Sequence, residues 1–172
     1  MSEVQRILNQ YDRVMNGDAW HGDPIWRILD GISAEKAALR PIANAHSIWE
    51  IVGHMAFWEN VAARRLGGLR AGIEEEGNFP PVPPEATEAN WQTTLDAFRA
   101  SNQVFREALQ KLDPARLDEL SAAGKRSFYD EAHGLIAHNL YHAGQIALLA
   151  KAMNQKLRVP FGDACKQPWA GL

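Results

Sequence analysis

Gly134-Leu-Ile-Ala-His138-Asn-Leu-Tyr-His142-Ala-Gly-Gln145-Ile-Ala-Leu-Leu149 lies inside an apolar run, from about Ser127 to Met153, that holds no proline. A run of that length without a breaker reads as a helix. At ~100° per residue, His138 and His142 lie ~40° apart and share a face, and Gln145 returns to within ~20° of His138. Two imidazoles one turn apart on a helix can bind one metal ion. A third ligand must then come from another element. His54 is the obvious donor, because it sits in the other strongly helical run, Ser47-Ile-Trp-Glu50-Ile-Val-Gly-His54-Met-Ala-Phe-Trp58-Glu. The alternative is a pair of half-buried core histidines bonded to their neighbours.

The same run is apolar nearly all round. With His138 at the origin, the ligand side also carries Leu135, Gln145 and Leu149, and the opposite side carries Ile136, Leu140, Ala143, Ala147 and Ala150. Only a narrow stripe with His133 and Lys151 is polar. A helix of this kind is buried nearly all round. In a single four-helix bundle one face should meet water, so the back of this helix is expected to pack against another subunit or against the tail.

Three more long helices precede it. Residues 2–16 carry Val4, Ile7, Leu8, Tyr11, Val14 and Met15 at three–four spacing. Ser47-Ile-Trp-Glu50 is a capping box, so a second begins near Ile48 and runs to about Leu66, before Gly67-Gly68. Thr87 caps a third, halted by Asp113-Pro114. Short helices are expected from Pro24, with Asp23 as its cap, to about Asp30, and from Ser33 to Leu39. Residues 67–86, rich in Gly, Pro and acid, read as a long loop that could cross the bundle end or line a site mouth. Residues 155–172 read as an irregular tail. No segment alternates with strand periodicity. The sum is an all-α chain, a four-helix bundle with short accessory helices and one domain over residues 1–172.

Composition narrows the partners. At 172 residues the chain is long enough for a sizeable core. A net charge of −3, with no basic run longer than two, disfavours nucleic acid. Cys165 is the one cysteine, so there is no disulfide framework, which fits a reducing cytoplasm. No signal peptide opens the chain and no run reaches membrane-spanning length, so a soluble, cytoplasmic protein is expected.

Several residues near the three histidines are candidates for the site. Glu50 and Trp58 lie one turn on either side of His54. Glu50 is either a further ligand or acceptor, or simply the cap. Gln145 is either an outer partner to a ligand or a cross-helix hydrogen bond. Tyr141, ~60° from the pair, either bonds near the site or packs. His21, in Trp20-His-Gly-Asp-Pro24, either folds over one bundle end or forms a turn, and His46 is a turn residue that could approach from the loop. His133, ~140° from His138, faces away.

Three segments carry a resemblance: Ala19-Trp-His-Gly-Asp-Pro24, His46-Ser-Ile-Trp-Glu-Ile-Val-Gly-His54-Met-Ala-Phe-Trp58-Glu, and the Gly134–Leu149 stretch. Together they resemble the DinB-like superfamily of metalloenzymes, including its bacillithiol-transferase-like branch. The resemblance implies an up-down-down-up four-helix bundle, often a homodimer, with a divalent metal, zinc or nickel, on three histidines. By position these are His54, His138 and His142, all present here. Some relatives are transferases or isomerases that use a low-molecular-weight thiol as cosubstrate. The lead expectation is therefore a metal-dependent, thiol-dependent S-transferase acting on a small molecule. The alternatives are a metal-dependent hydrolase, for which only Glu50 or a loop histidine is at hand as base, and a non-catalytic, stress-related metal-binding protein.

Overall fold

The computed structural model describes residues 1–72 and 78–153. The expected irregular tail with Cys165, and residues 73–77 of the expected loop, lie outside the described residues. The described chain is all-α: α1 (Glu3–Asn16), the short α2 (Ile25–Leu29) and α3 (Ala34–Ala38), α4 (Ile48–Leu66), α5 (Glu88–Lys111) and α6 (Phe128–Ala152), with a 3-10 turn at Pro114–Arg116. None of its helices is long and apolar enough to cross a membrane.

Local chemistry sets the boundaries. Ser47 Oγ accepts from the Glu50 N–H, and the Glu50 carboxylate accepts from the Ser47 N–H, closing the capping box that starts α4. Ser127 and Asp130 repeat the arrangement at α6. Ser2 and Thr87 each cap their helices with one side-chain oxygen. The start of α2 differs from expectation. Asp23 pairs with the Arg27 side chain instead of a backbone N–H. Pro24, with ψ 160°, is the extended cap residue whose carbonyl accepts from Arg27 and Ile28.

The bundle packs as a square. α4 lies against α5 and α6, α1 lies against the same two, and α1 and α4 face each other across the core. Tyr11, Trp49, Phe98, Phe105 and Phe128 fill that core at 2 % exposure or less.

The back of α6 is covered in a way the sequence did not suggest, while packing against the tail, which the sequence did suggest, lies outside the described residues. Ile136, Ala143 and Ala150 are at most 4 % exposed within this one chain, and Leu140 and Ala147 pack against the same cluster. The reason is α2, a third neighbour beside α1 and α4, which covers the side a plain bundle would leave open. That face is therefore taken up inside the chain. The stripe left exposed is Gly134, Ala137, Tyr141, Gly144 and Leu148, with Tyr141 65 % and Leu148 59 % exposed.

The chain after α4 folds back along that helix. Arg65 Nε donates to the Ala71 carbonyl at 2.9 Å, and Trp58 Nε1 donates to Asn78 Oδ1 at 2.9 Å. Arg65 also pairs with buried Glu131 of α6 at 3.0 Å, and Ser121 Oγ donates to the same carboxylate at 3.1 Å. Removing one partner of such a buried pair typically costs about 3–5 kcal/mol. These ties bring Asn78 and Phe79 against His54.

Candidate metal centre

α4 delivers His54, and α6 delivers His138 and His142, to one point. His138 Nε2 lies 3.0 Å from His54 Nε2 and 3.1 Å from His142 Nε2. One ring nitrogen from each of the three residues falls within 4.8 Å of the others, so the group could hold a metal ion. Nitrogens bound tetrahedrally at 2.0–2.1 Å from zinc stand about 3.4 Å apart, close to the spacing here.

The outer nitrogens determine which way the lone pairs face. His54 Nδ1 lies 2.7 Å from the Asn78 carbonyl, which can only accept. His142 Nδ1 lies 2.6 Å from Gln145 Oε1. Each ring, when neutral, therefore carries its proton on Nδ1 and turns the Nε2 lone pair inward. Burial, the largest influence on each, lowers the pKa of all three rings. For His138 burial, with His142 and His54 adding to it, brings the value down to about 4. At neutral pH these are uncharged donors crowded around one point. At most one pair of the three Nε2 atoms can share a proton, whereas a cation between them satisfies all three. The donor set fits a borderline-soft divalent ion.

A cavity of about 430 Å³ opens beside His142. Its walls include Ile42, Ile51, Phe79, Leu148 and Leu149, with Asn44, His46, Tyr141 and Gln145 as polar or amphipathic contacts. Phe79 is sandwiched between two imidazoles, His46 at 3.7 Å and His54 at 4.2 Å between ring centroids. The loop thus supplies a cavity wall as well as the carbonyl that orients a histidine.

The remaining candidates fall in different places. Gln145 is the hydrogen-bond partner of His142, and the half-exposed His46 lines the cavity. Trp58 is set edge-on to His138 at 6.1 Å, with its Nε1–H committed to Asn78. Tyr141 stands exposed at the cavity rim, edge-on to His142. Glu50 is occupied by the cap, by Arg40 and by His46 at 3.7 Å, and it lies outside the three-histidine group. Burial opposes a low pKa for its carboxyl, but the Ser47 hydrogen bonds and the Arg40 charge prevail and hold it down. His21 is exposed on the turn between Ala19 and Gly22, away from the cavity lining. His133 packs on Tyr129. Asn78 and Phe79 were not singled out in the sequence, since a backbone carbonyl contact carries no residue signature. The one hint was the length of the loop that holds them.

A family model described as the DinB superfamily matches residues 20–146, a span that holds His54, His138, His142 and Gln145. Among curated proteins and among solved structures nothing matches the chain. With most of its length matched, through both histidine-bearing helices, the chain belongs to the DinB superfamily.

Proposed function

We propose that the chain is a divalent-metal-dependent enzyme in which His54, His138 and His142 are the ligands, and that it is an S-transferase using a low-molecular-weight thiol, in the manner of the bacillithiol-transferase-like branch. Zinc and nickel are the proposed metals. The observation that carries this reading is the convergence of three Nε2 atoms beside a largely apolar cavity. Three protein ligands leave coordination positions open, as catalytic sites do.

When bound, the ion supplies positive charge that favours thiolate over thiol at neutral pH. The chain's own residues do the rest. Asn78 and Gln145 hold the imidazoles in register. Ile42, Phe79 and Leu148 hold the apolar part of an electrophile and exclude water from it. In the transfer, a sulfur–carbon bond forms, the bond to the leaving group breaks, and the leaving group departs with that electron pair. The thiol proton passes to solvent. Hydrolysis is the second reading: no carboxylate lines the cavity among the described residues and Glu50 is already paired, which leaves His46 of the cavity lining as the base at hand. We also propose that two copies associate through the exposed Tyr141–Leu148 stripe of α6.

The test is incubation of zinc- or nickel-loaded protein with several low-molecular-weight thiols and a chromogenic electrophile. Turnover that disappears in His142→Ala is expected. Absence of turnover with every thiol, in protein shown to hold metal, would count against the transferase.

A further inference from the structure

One polar cluster is not explained by the proposed ligands. Glu59 of α4 is 0 % exposed. Its carboxyl group accepts from Tyr11 Oη of α1 at 2.9 Å and from Asn139 Nδ2 of α6 at 2.6 Å. Burying such a group is costly unless it is hydrogen-bonded, so the arrangement is specified rather than incidental. Asn139 is itself 0 % exposed, and it directly follows His138.

Four buried side-chain polar atoms among the described residues have no hydrogen-bond partner, and two of them, His138 Nδ1 and Asn139 Oδ1, belong to successive residues of α6. They are complementary. A neutral imidazole that binds a metal through Nε2 must carry its proton on Nδ1, and that proton needs an acceptor. His54 has the Asn78 carbonyl and His142 has Gln145, but His138 has no completed partner. Asn139 has a free oxygen, and its amide is held from the other end by Glu59.

We propose that Asn139 is a positioning residue for His138: anchored through Nδ2 to Glu59, it presents Oδ1 as the acceptor for the Nδ1 proton when Nε2 serves as a ligand. This rests on the metal reading above. It gives each of the three histidines an outer partner, and it runs a hydrogen-bonded chain from the junction of α1, α4 and α6 to the centre. The competing role for Asn139 and Glu59 is a polar tie within the core that does not act on the ligand.

The test uses the full chain without a histidine tag, zinc affinity by chelator competition, and nitrogen-resolved NMR of the imidazole N–H groups. Zinc-loaded wild type should show slowly exchanging Nδ1 protons on His54, His138 and His142. Asn139→Leu should lower zinc affinity by about 10–100-fold, and the His138 proton should lose its protection while the other two keep theirs. Leu109→Ala, a core truncation on α5, should reduce stability without changing zinc affinity. Glu59→Gln keeps the volume and an acceptor oxygen, and should lie between Asn139→Leu and wild type. A His138 proton exposed to exchange in zinc-loaded wild type overturns the proposal, even if Asn139→Leu fails to fold. So does unchanged affinity in Asn139→Leu, or an equal loss in Leu109→Ala. Failure of wild type to bind zinc or nickel at all is a different result. It removes the metal reading, and it is seen before any variant is made.

Discussion

Replacing Glu59 with glutamine should change the pH dependence of stability in metal-free protein. Burial raises the Glu59 carboxyl pKa from 4.5 to about 7, against the opposing hydrogen bonds from Asn139 and Tyr11. Between those values the folded chain holds a proton that the unfolded chain has released. Stability must therefore fall as pH rises across that window. A difference of about 2.5 pKa units, at 1.36 kcal/mol each, gives about 3 kcal/mol. For a chain of this size that is about 6–12 °C in Tm. The three histidines act in the opposite sense. Their folded pKa values are lowered, so their contribution is complete above the unfolded value of 6.5 and is lost as pH falls below it. In wild type the two slopes offset each other, and a flat profile would reveal neither. Glutamine at position 59 cannot ionise and leaves the histidine slope bare. Urea unfolding of both proteins across the range from 4.5 to above 7 is the assay, and the difference between the two curves isolates Glu59. Wild type should lose about 3 kcal/mol relative to the variant from the acid end to the neutral end. Parallel curves would refute the reasoning, since they would mean that Glu59 ionises in the folded chain as easily as in the unfolded one.

Two further outcomes are expected. Elemental analysis should find about one metal ion per chain in untagged wild type and almost none in His138→Ala, because that ring lies within 3.1 Å of both other donors. Gln145→Leu should leave the fold intact but weaken zinc binding by about 10–100-fold by removing the acceptor of the His142 Nδ1 proton, and chelator competition would measure it.

The sequence revealed those parts of the site that depend on helix periodicity. His138 and His142 share a face because they are one turn apart, and the Ser47–Glu50 box marked where α4 begins and so which face His54 occupies. The partners that come from outside a helix were not legible. Asn78 acts through its backbone carbonyl, which any residue carries. Glu59 lies among several polar residues of α4, and nothing in the spacing marks it as buried. Its burial depends on Tyr11, forty-eight positions earlier, crossing the core to meet it. Asn139 was not singled out, because its contact with Glu59 depends on a direction inside the bundle rather than a spacing along the chain. The cover on the back of α6 was not legible for a similar reason: periodicity shows that a face is apolar but does not say that α2 packs there.

The angle between neighbours on a helix explains how one short stretch can serve both the surface of a site and its foundation. Successive residues of α6 point ~100° apart. His138 therefore faces α4 and the convergence point, while Asn139 turns into the core towards Glu59 and Met15. On α4, His54 and Glu59 are five positions apart, ~140° around the helix, and divide in the same way. The two helices thus meet twice, once at the histidines and once at the buried carboxyl. The His54–His138 approach and the Glu59–Asn139 hydrogen bond tie the same two helices at two places, one lining the site and one inside the core.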